Sequence, residues 1–283
     1  MQLFDPLFGY LTLLIARTEV AVWCYFSILF LLFNFLYFSF FSSIAKWSHF
    51  EKRHLLYILL LGFSLASSWY IAATTNGLRQ GLSLPLLYFS LFFFFRKKWI
   101  KAVFFAFCAA GFHLSSVFVL PFFVTIFLPK KLFNWLVIFA ILGYPLGINE
   151  ALVAFFSRII GFTVYEQIAM YGVESENWVG FQWDLFLYSI FWVVIYAYLQ
   201  KFVKKKYIKE FSFFWQLYCI LLFPYLFFGF GGYSNRWAVI AWLFLPIIHT
   251  AFFYCSRFGD IKYFAISFVV LFGFIRYFIF IYA

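Results

Sequence analysis

The chain has 283 residues, of which 66% are hydrophobic, 29% aromatic and only 11% charged, and its mean hydropathy is +0.96. A soluble domain of that length has too little interior to hide so much apolar surface, so lipid is the solvent for most of it. The net charge of +11 suggests nucleic acid until its distribution is read: the charges bracket apolar runs and form no binding stripe, which excludes that partner.

In chain order, the first expected element is a surface-lying amphipathic helix within 1–18. Apolar runs follow at 19–41, 54–73, 80–95, 102–128, 132–149, 184–203, 211–230, 237–255 and 263–282. Most basic residues lie in tight clusters between them: Lys46, Lys52 and Arg53; Arg96, Lys97, Lys98 and Lys101; Lys130 and Lys131; Lys201, Lys204, Lys205, Lys206 and Lys209; Arg257 and Lys262. The positive-inside rule places all of these in the cytoplasm. That requires 102–128 to enter and return, as a short or re-entrant hairpin with its tip near Gly111–Ser116. Pro121 adds a further break point. Irregular backbone at that depth needs protein or a water-filled cavity beside it, and His113 sits at the tip.

The expected fold is therefore all-α: a polytopic membrane helical bundle of about ten spans, with both termini outside and a long external loop over 150–183. No repeat or long linker interrupts the series, which predicts one integral membrane domain over 1–283. No cleavable signal peptide is expected, because no short basic start precedes a short apolar core. Cys24, Cys108, Cys219 and Cys255 show no metal-ligand spacing and read as small apolar helix residues. The 50 phenylalanines read as compositional bias, not as a binding track.

The basic residues outside the clusters are Arg17, Arg79, Arg158, Arg236 and Arg276, with no lysine among them. The topology puts the first four at the external face, where the positive-inside rule gives no reason for them. A guanidinium fork suits bidentate contact with phosphate and stays charged when partly desolvated. Arg79, in Asn76-Gly77-Leu78-Arg79-Gln80-Gly81, and Arg236, in Gly231-Gly232-Tyr233-Ser234-Asn235-Arg236, each open a helix, where backbone amides and arginine together attract anions. The competing reading is an interfacial arginine snorkelling to water. Arg17 beside Glu19 reads as an interfacial ion pair, and Arg276 as either structural or cavity-facing.

The 150–184 segment holds half of the ten acids, Glu150, Glu166, Glu174, Glu176 and Asp184, together with Arg158, Tyr165, Tyr171, Trp178 and Trp183. Residues 151–170 are expected to form an amphipathic surface helix, and 171–183 a polar loop. Carboxylates and aromatic rings suit sugars, which offer hydroxyls and apolar faces; an aromatic belt with solvated acids is the plainer alternative. His113 is either a proton acceptor in a helix break or a structurally satisfied histidine. No Asp-x-Asp or ligand cluster lies outside, so neither a metal nor another cofactor is expected.

From Asn76 to Lys131 the chain reads NGLRQGLSLPLLYFSLFFFFRKKWIKAVFFAFCAAGFHLSSVFVLPFFVTIFLPKK. This resembles the EpsG/Wzy group of bacterial polysaccharide polymerases, in which R-Q-G opens a helix and a later helix ends in F-H-x-S. Asp5-Pro6-Leu7-Phe8 is similar to the acidic-Pro-x-Phe of that group, as is Asn235-Arg236 followed by Pro246. Members also carry a first span and a Gly-x-Asp segment ahead of that stretch, so the resemblance implies either a start codon placed late or a shortened chain.

The resemblance implies a metal-independent glycosyltransferase of the bacterial cytoplasmic membrane, active at its outer face. A glycan on undecaprenyl diphosphate would be moved onto a lipid-linked repeat unit, with a chain-length regulator as a further partner. Arg79, Arg236 and Arg158 would hold the diphosphate, and His113 or Glu166 would take the acceptor proton. Gln80, Asn235, Tyr233, Tyr165 and Tyr171 would contact sugar. The alternatives are a lipid-linked oligosaccharide flippase and a membrane O-acyltransferase acting on surface glycan.

Overall fold

The computed structural model describes residues 5–51, 53–161, 164–170, 180–258 and 261–282. Its helices are α1 Pro6–Ala16, α2 Val22–Trp47, α3 Arg53–Ala66, α4 Ser68–Thr74, α5 Leu78–Phe95 and α6 Trp99–Phe112; then, after a 3-10 segment Leu114–Phe127, α7 Lys130–Gly143, α8 Ile148–Ile160, α9 Val164–Met170, α10 Trp183–Leu199, α11 Ile208–Phe228, α12 Ser234–Trp242, α13 Leu245–Cys255 and α14 Ile261–Tyr282. No strand occurs among the described residues. The all-α expectation holds, because a chain this apolar must satisfy its backbone polar groups within each segment.

Helix length and apolar composition support part of the expected span count. Among the described residues five helical stretches are long and apolar enough to cross a membrane, and seven if each of two bent pairs is one span. Two of the apolar runs are bent. The run 54–73 is bent by 85° between α3 and α4, where Ser67 caps the second helix by accepting from the Tyr70 N–H. The run 132–149 likewise ends at Gly143, and α8 leaves at 100° to α7 after the left-handed Gly147. Run 102–128 does break at His113, which is extended at φ −157°. The chain continues from that break as the 3-10 segment Leu114–Phe127.

The chain divides into two compact units, Met1–Leu120 with His249–Ala283, and Pro121–Ile248. In the first, α5 is buried along most of its length between α2, α4 and α6. Phenylalanine supplies the packing: Phe40 of α2 meets Tyr88, Phe89 and Phe92, and Phe89 stacks on Phe105 at 4.8 Å. Ring pairs of this kind add to the burial of their own area, so the aromatic excess is structural here. His249 meets Phe63 edge-on, and α14 packs along α3.

In the second unit α11 is the buried centre. Two of its ring donors find carbonyls of α10: the indole of Trp215 donates to the Val193 carbonyl at 2.9 Å, and Tyr218 donates to the Ser189 carbonyl at 3.2 Å. Trp242 of α12 donates to the Ser189 hydroxyl at 3.0 Å. Asn149 is fully buried and donates to the carbonyls of both Ala140 and Leu226, at 2.7 and 2.9 Å. It thereby supplies donors to carbonyls of α7 and α11, which apolar surroundings would otherwise make costly.

Candidate functional site

Three residues far apart in the chain meet in the first unit. Asp5 occupies the N-cap position of α1 but caps no amide of its own helix. Its carboxylate turns outward from α1 instead. Oδ2 accepts from Arg79 Nη1 at 2.7 Å, and Oδ1 accepts from the Leu114 N–H at 2.9 Å. The ring Nδ1 of His113 lies 3.7 Å from the same Oδ2.

Close approach of backbone brings these groups together. A Cβ on Gly81 would lie 2.2 Å from the Ala73 carbonyl oxygen, so the first turn of α5, which carries Arg79, sits directly against α4. A Cβ on Gly111 would lie 2.5 Å from Leu7, so α1 rests on the last turn of α6 and delivers Asp5 to the break at His113. Next to the break, Ser83 of α5 donates to the Ala109 carbonyl at 2.8 Å and pairs with the Ser116 hydroxyl.

Exposure separates the roles available to the three side chains. The Asp5 side chain is 6% exposed, that of His113 20%, and that of Arg79 53%. A buried carboxylate persists only with partners such as these, a guanidinium and a backbone amide. The exposed part of the Arg79 fork can meet an anion from outside, and His113 stands beside it. Gln80 is half-buried in the same turn of α5.

The second unit carries the other predicted residues. Tyr165 of α9 donates to Glu150 of α8 at 3.1 Å and stacks on Phe230 at 5.5 Å. Hydrogen bonding to the Glu150 carboxylate raises the Tyr165 phenol above its usual range, and the charges of Arg158 and Glu166 also reach it. Gly231 lies under α9, since a Cβ there would meet the Ile168 carbonyl at 2.3 Å. That glycine begins the turn into α12, where Tyr233 adopts a left-handed conformation at φ 57°. The guanidinium of Arg236 sits 4.3 Å from the centre of the Tyr233 ring, a cation–π contact. Asn235 and Arg158 are exposed, as is Glu166. The two predicted groups thus fall in separate units: Arg79, Gln80 and His113 in one, Arg158, Tyr165, Glu166, Tyr233, Asn235 and Arg236 in the other. Tyr171, Glu174, Glu176 and Trp178 lie outside the described residues.

Two sequence expectations change. Residues 151–170 form two helices, not one, because Gly161 takes a left-handed conformation at φ 69° and ends α8. Arg17 and Glu19 form no ion pair. Asp5 joins the site without having been among the residues expected there. Its signal was present: a lone carboxylate before proline in an apolar stretch has to find a partner.

Comparison with protein families matches the EpsG family over residues 1–283. The chain belongs to the EpsG family. No curated protein and no solved structure matches it. EpsG proteins are a Wzy-like polysaccharide polymerase family, glycosyltransferase-like in activity, and this member is a membrane protein by its apolar helices. The R-Q-G and F-H-x-S segments that carry the resemblance are the two that meet at Asp5 in this EpsG chain.

Proposed function

We propose that this protein is a repeat-unit polymerase at the outer face of the bacterial cytoplasmic membrane. It transfers a glycan from undecaprenyl diphosphate onto a lipid-linked oligosaccharide repeat unit. The observation that carries the reading is the convergence of a half-exposed guanidinium and an imidazole on one buried carboxylate, Arg79 and His113 about Asp5.

The chemistry follows from those groups. The acceptor hydroxyl oxygen attacks the anomeric carbon of the donor glycan. The bond from that carbon to the diphosphate oxygen breaks, and its electron pair leaves with the diphosphate. Charge therefore develops on the leaving group, where fixed guanidinium donors stabilise it more than they stabilise the ground state. His113 takes the proton lost by the acceptor. Arg236 and Arg158 are further candidates for the diphosphate, with Glu166 as an alternative base. Tyr165, Tyr233, Asn235, Gln80 and Tyr171 offer ring faces and polar groups to sugar. Much of the acceleration comes from holding two large lipid-linked substrates in line. Arginines supply the charge, so the reaction needs no metal in this proposal.

The test is the length distribution of surface glycan in a deletion strain complemented with variants. Arg79→Lys keeps a cation against Asp5 but loses the bidentate fork; His113→Ala removes the base. Both are expected to express normally, to leave single repeat units on the lipid, and to lose the ladder. Full ladders from both variants would overturn the assignment. Absence of single units from the outer face would favour a flippase, and unchanged ladders with lost acyl groups would favour an O-acyltransferase.

A further inference from the structure

We infer that Asp5 is the positioning residue of the site, acting on the reaction through Arg79 and through the backbone break that presents His113. The inference rests on the polymerase reading and deepens it. Each oxygen of the carboxylate has a separate task. Oδ2 fixes one amino group of Arg79 at 2.7 Å, which orients the fork so that its remaining donors project from a fixed place. Oδ1 accepts the Leu114 amide at 2.9 Å, an N–H that the end of α6 removes from the helical ladder. Holding Leu114 holds His113, its immediate neighbour, whose own amide is already fixed to the Ala109 carbonyl at 2.9 Å.

Burial distinguishes this from a surface ion pair. The Asp5 side chain is 6% exposed while its partner Arg79 is 53% exposed, so substrate can reach the guanidinium far more readily than the carboxylate. Asp5 is therefore placed behind the reacting groups. Its own helix has no use for it as a cap, and α1 packs on α6 through Leu7 and Gly111, which delivers the carboxylate where α5 and α6 converge. Asparagine at this position would still accept from Leu114, but it would present either no charge or a second donor to Arg79.

The experiment uses the full chain purified and reconstituted in vesicles, with lipid-diphosphate-linked repeat units as substrate and inorganic diphosphate as a mimic of the leaving group. Asp5→Asn is expected to lower kcat by about 100-fold, the scale of a misplaced catalytic group, with little change in KM for the acceptor. Inhibition by inorganic diphosphate is expected to weaken by about 10-fold, the scale of one charge-assisted contact. In an Arg79→Lys background the same substitution is expected to add little to the loss of diphosphate inhibition, because that effect runs through Arg79.

Wild-type turnover in Asp5→Asn would overturn the inference. So would lost turnover with unchanged diphosphate inhibition, or full additivity with Arg79→Lys in that inhibition, since either would mean that Asp5 does not act through Arg79. Wild-type turnover in Arg79→Lys and His113→Ala would remove the functional reading itself, a result that Asp5→Asn alone cannot produce.

Discussion

Leu7 occupies the space that a side chain on Gly111 would need: a Cβ there would lie 2.5 Å from the Leu7 Cγ and Cδ1. Two residues in different segments are thus matched in size, and the match sets how closely α1 approaches α6. Asp5 stands two positions before Leu7, so the fit at Gly111 also sets where the carboxylate arrives.

Gly111→Ala is expected to push α1 away and to reduce polymerisation sharply, while the double variant Gly111→Ala, Leu7→Ala recovers much of it. Overpacking of this kind costs about 1–3 kcal/mol, and removing the leucine side chain vacates the space. Ladder length in complemented cells reads the effect. Equal loss in the single and double variants would show that the contact does not govern the site.

Gly81→Ala meets backbone instead of a flexible side chain, since the nearest atom is the Ala73 carbonyl oxygen at 2.2 Å. No neighbouring truncation can relieve it. The expected outcome is a thermal midpoint several degrees lower in detergent, from about 1–3 kcal/mol of strain, together with lost activity. A midpoint equal to that of the parent chain would mean that α4 and α5 separate without cost.

Tyr233 combines a left-handed backbone with a ring beneath Arg236. Tyr233→Gly relieves the backbone but removes the ring, and Tyr233→Phe keeps the ring at the same φ. Polymerisation is expected to fall by about 3- to 10-fold in the glycine variant, the scale of a partly desolvated cation–π contact, and to persist in the phenylalanine variant. Thermal stability of the glycine variant should not fall. If both variants behaved alike, the ring would not be what holds Arg236.

Asn149→Leu removes a buried donor from two carbonyls, those of Ala140 and Leu226. Each stranded acceptor costs about 1–3 kcal/mol, so this variant is expected to fail to accumulate in the membrane, as quantified by fluorescence of a fused reporter. Normal accumulation would contradict the structural role assigned to Asn149.

Chelation separates the arginine-based chemistry from metal-assisted transfer. Polymerisation by the reconstituted protein is expected to continue unchanged in excess chelator, measured by ladder formation, because the leaving-group charge meets guanidinium donors in the proposal. Loss of activity on chelation, with recovery on adding back a divalent cation, would count against it.

What could be read from residues alone is what depends on neighbours in the chain. Apolar runs mark helices because lipid leaves the backbone no other partner. The break at His113 and the arginines opening α5 and α12 were legible from glycine and small polar residues beside them. The bends were not. Ser67, Gly143 and Gly147 look like tolerable helix residues until caps and packing make each a corner, which is why two of the apolar runs are bent pairs of helices.

The meeting of Asp5 with Arg79, 74 positions away, and with Leu114, 109 positions away, belongs to the tertiary structure. No local pattern pairs a carboxylate with one guanidinium out of several; the choice is made where Gly81 and Gly111 let four helices approach closely enough for the charge to be buried with its partners. The chain composition requires helices in lipid, and only their contact geometry decides which side chains share a site.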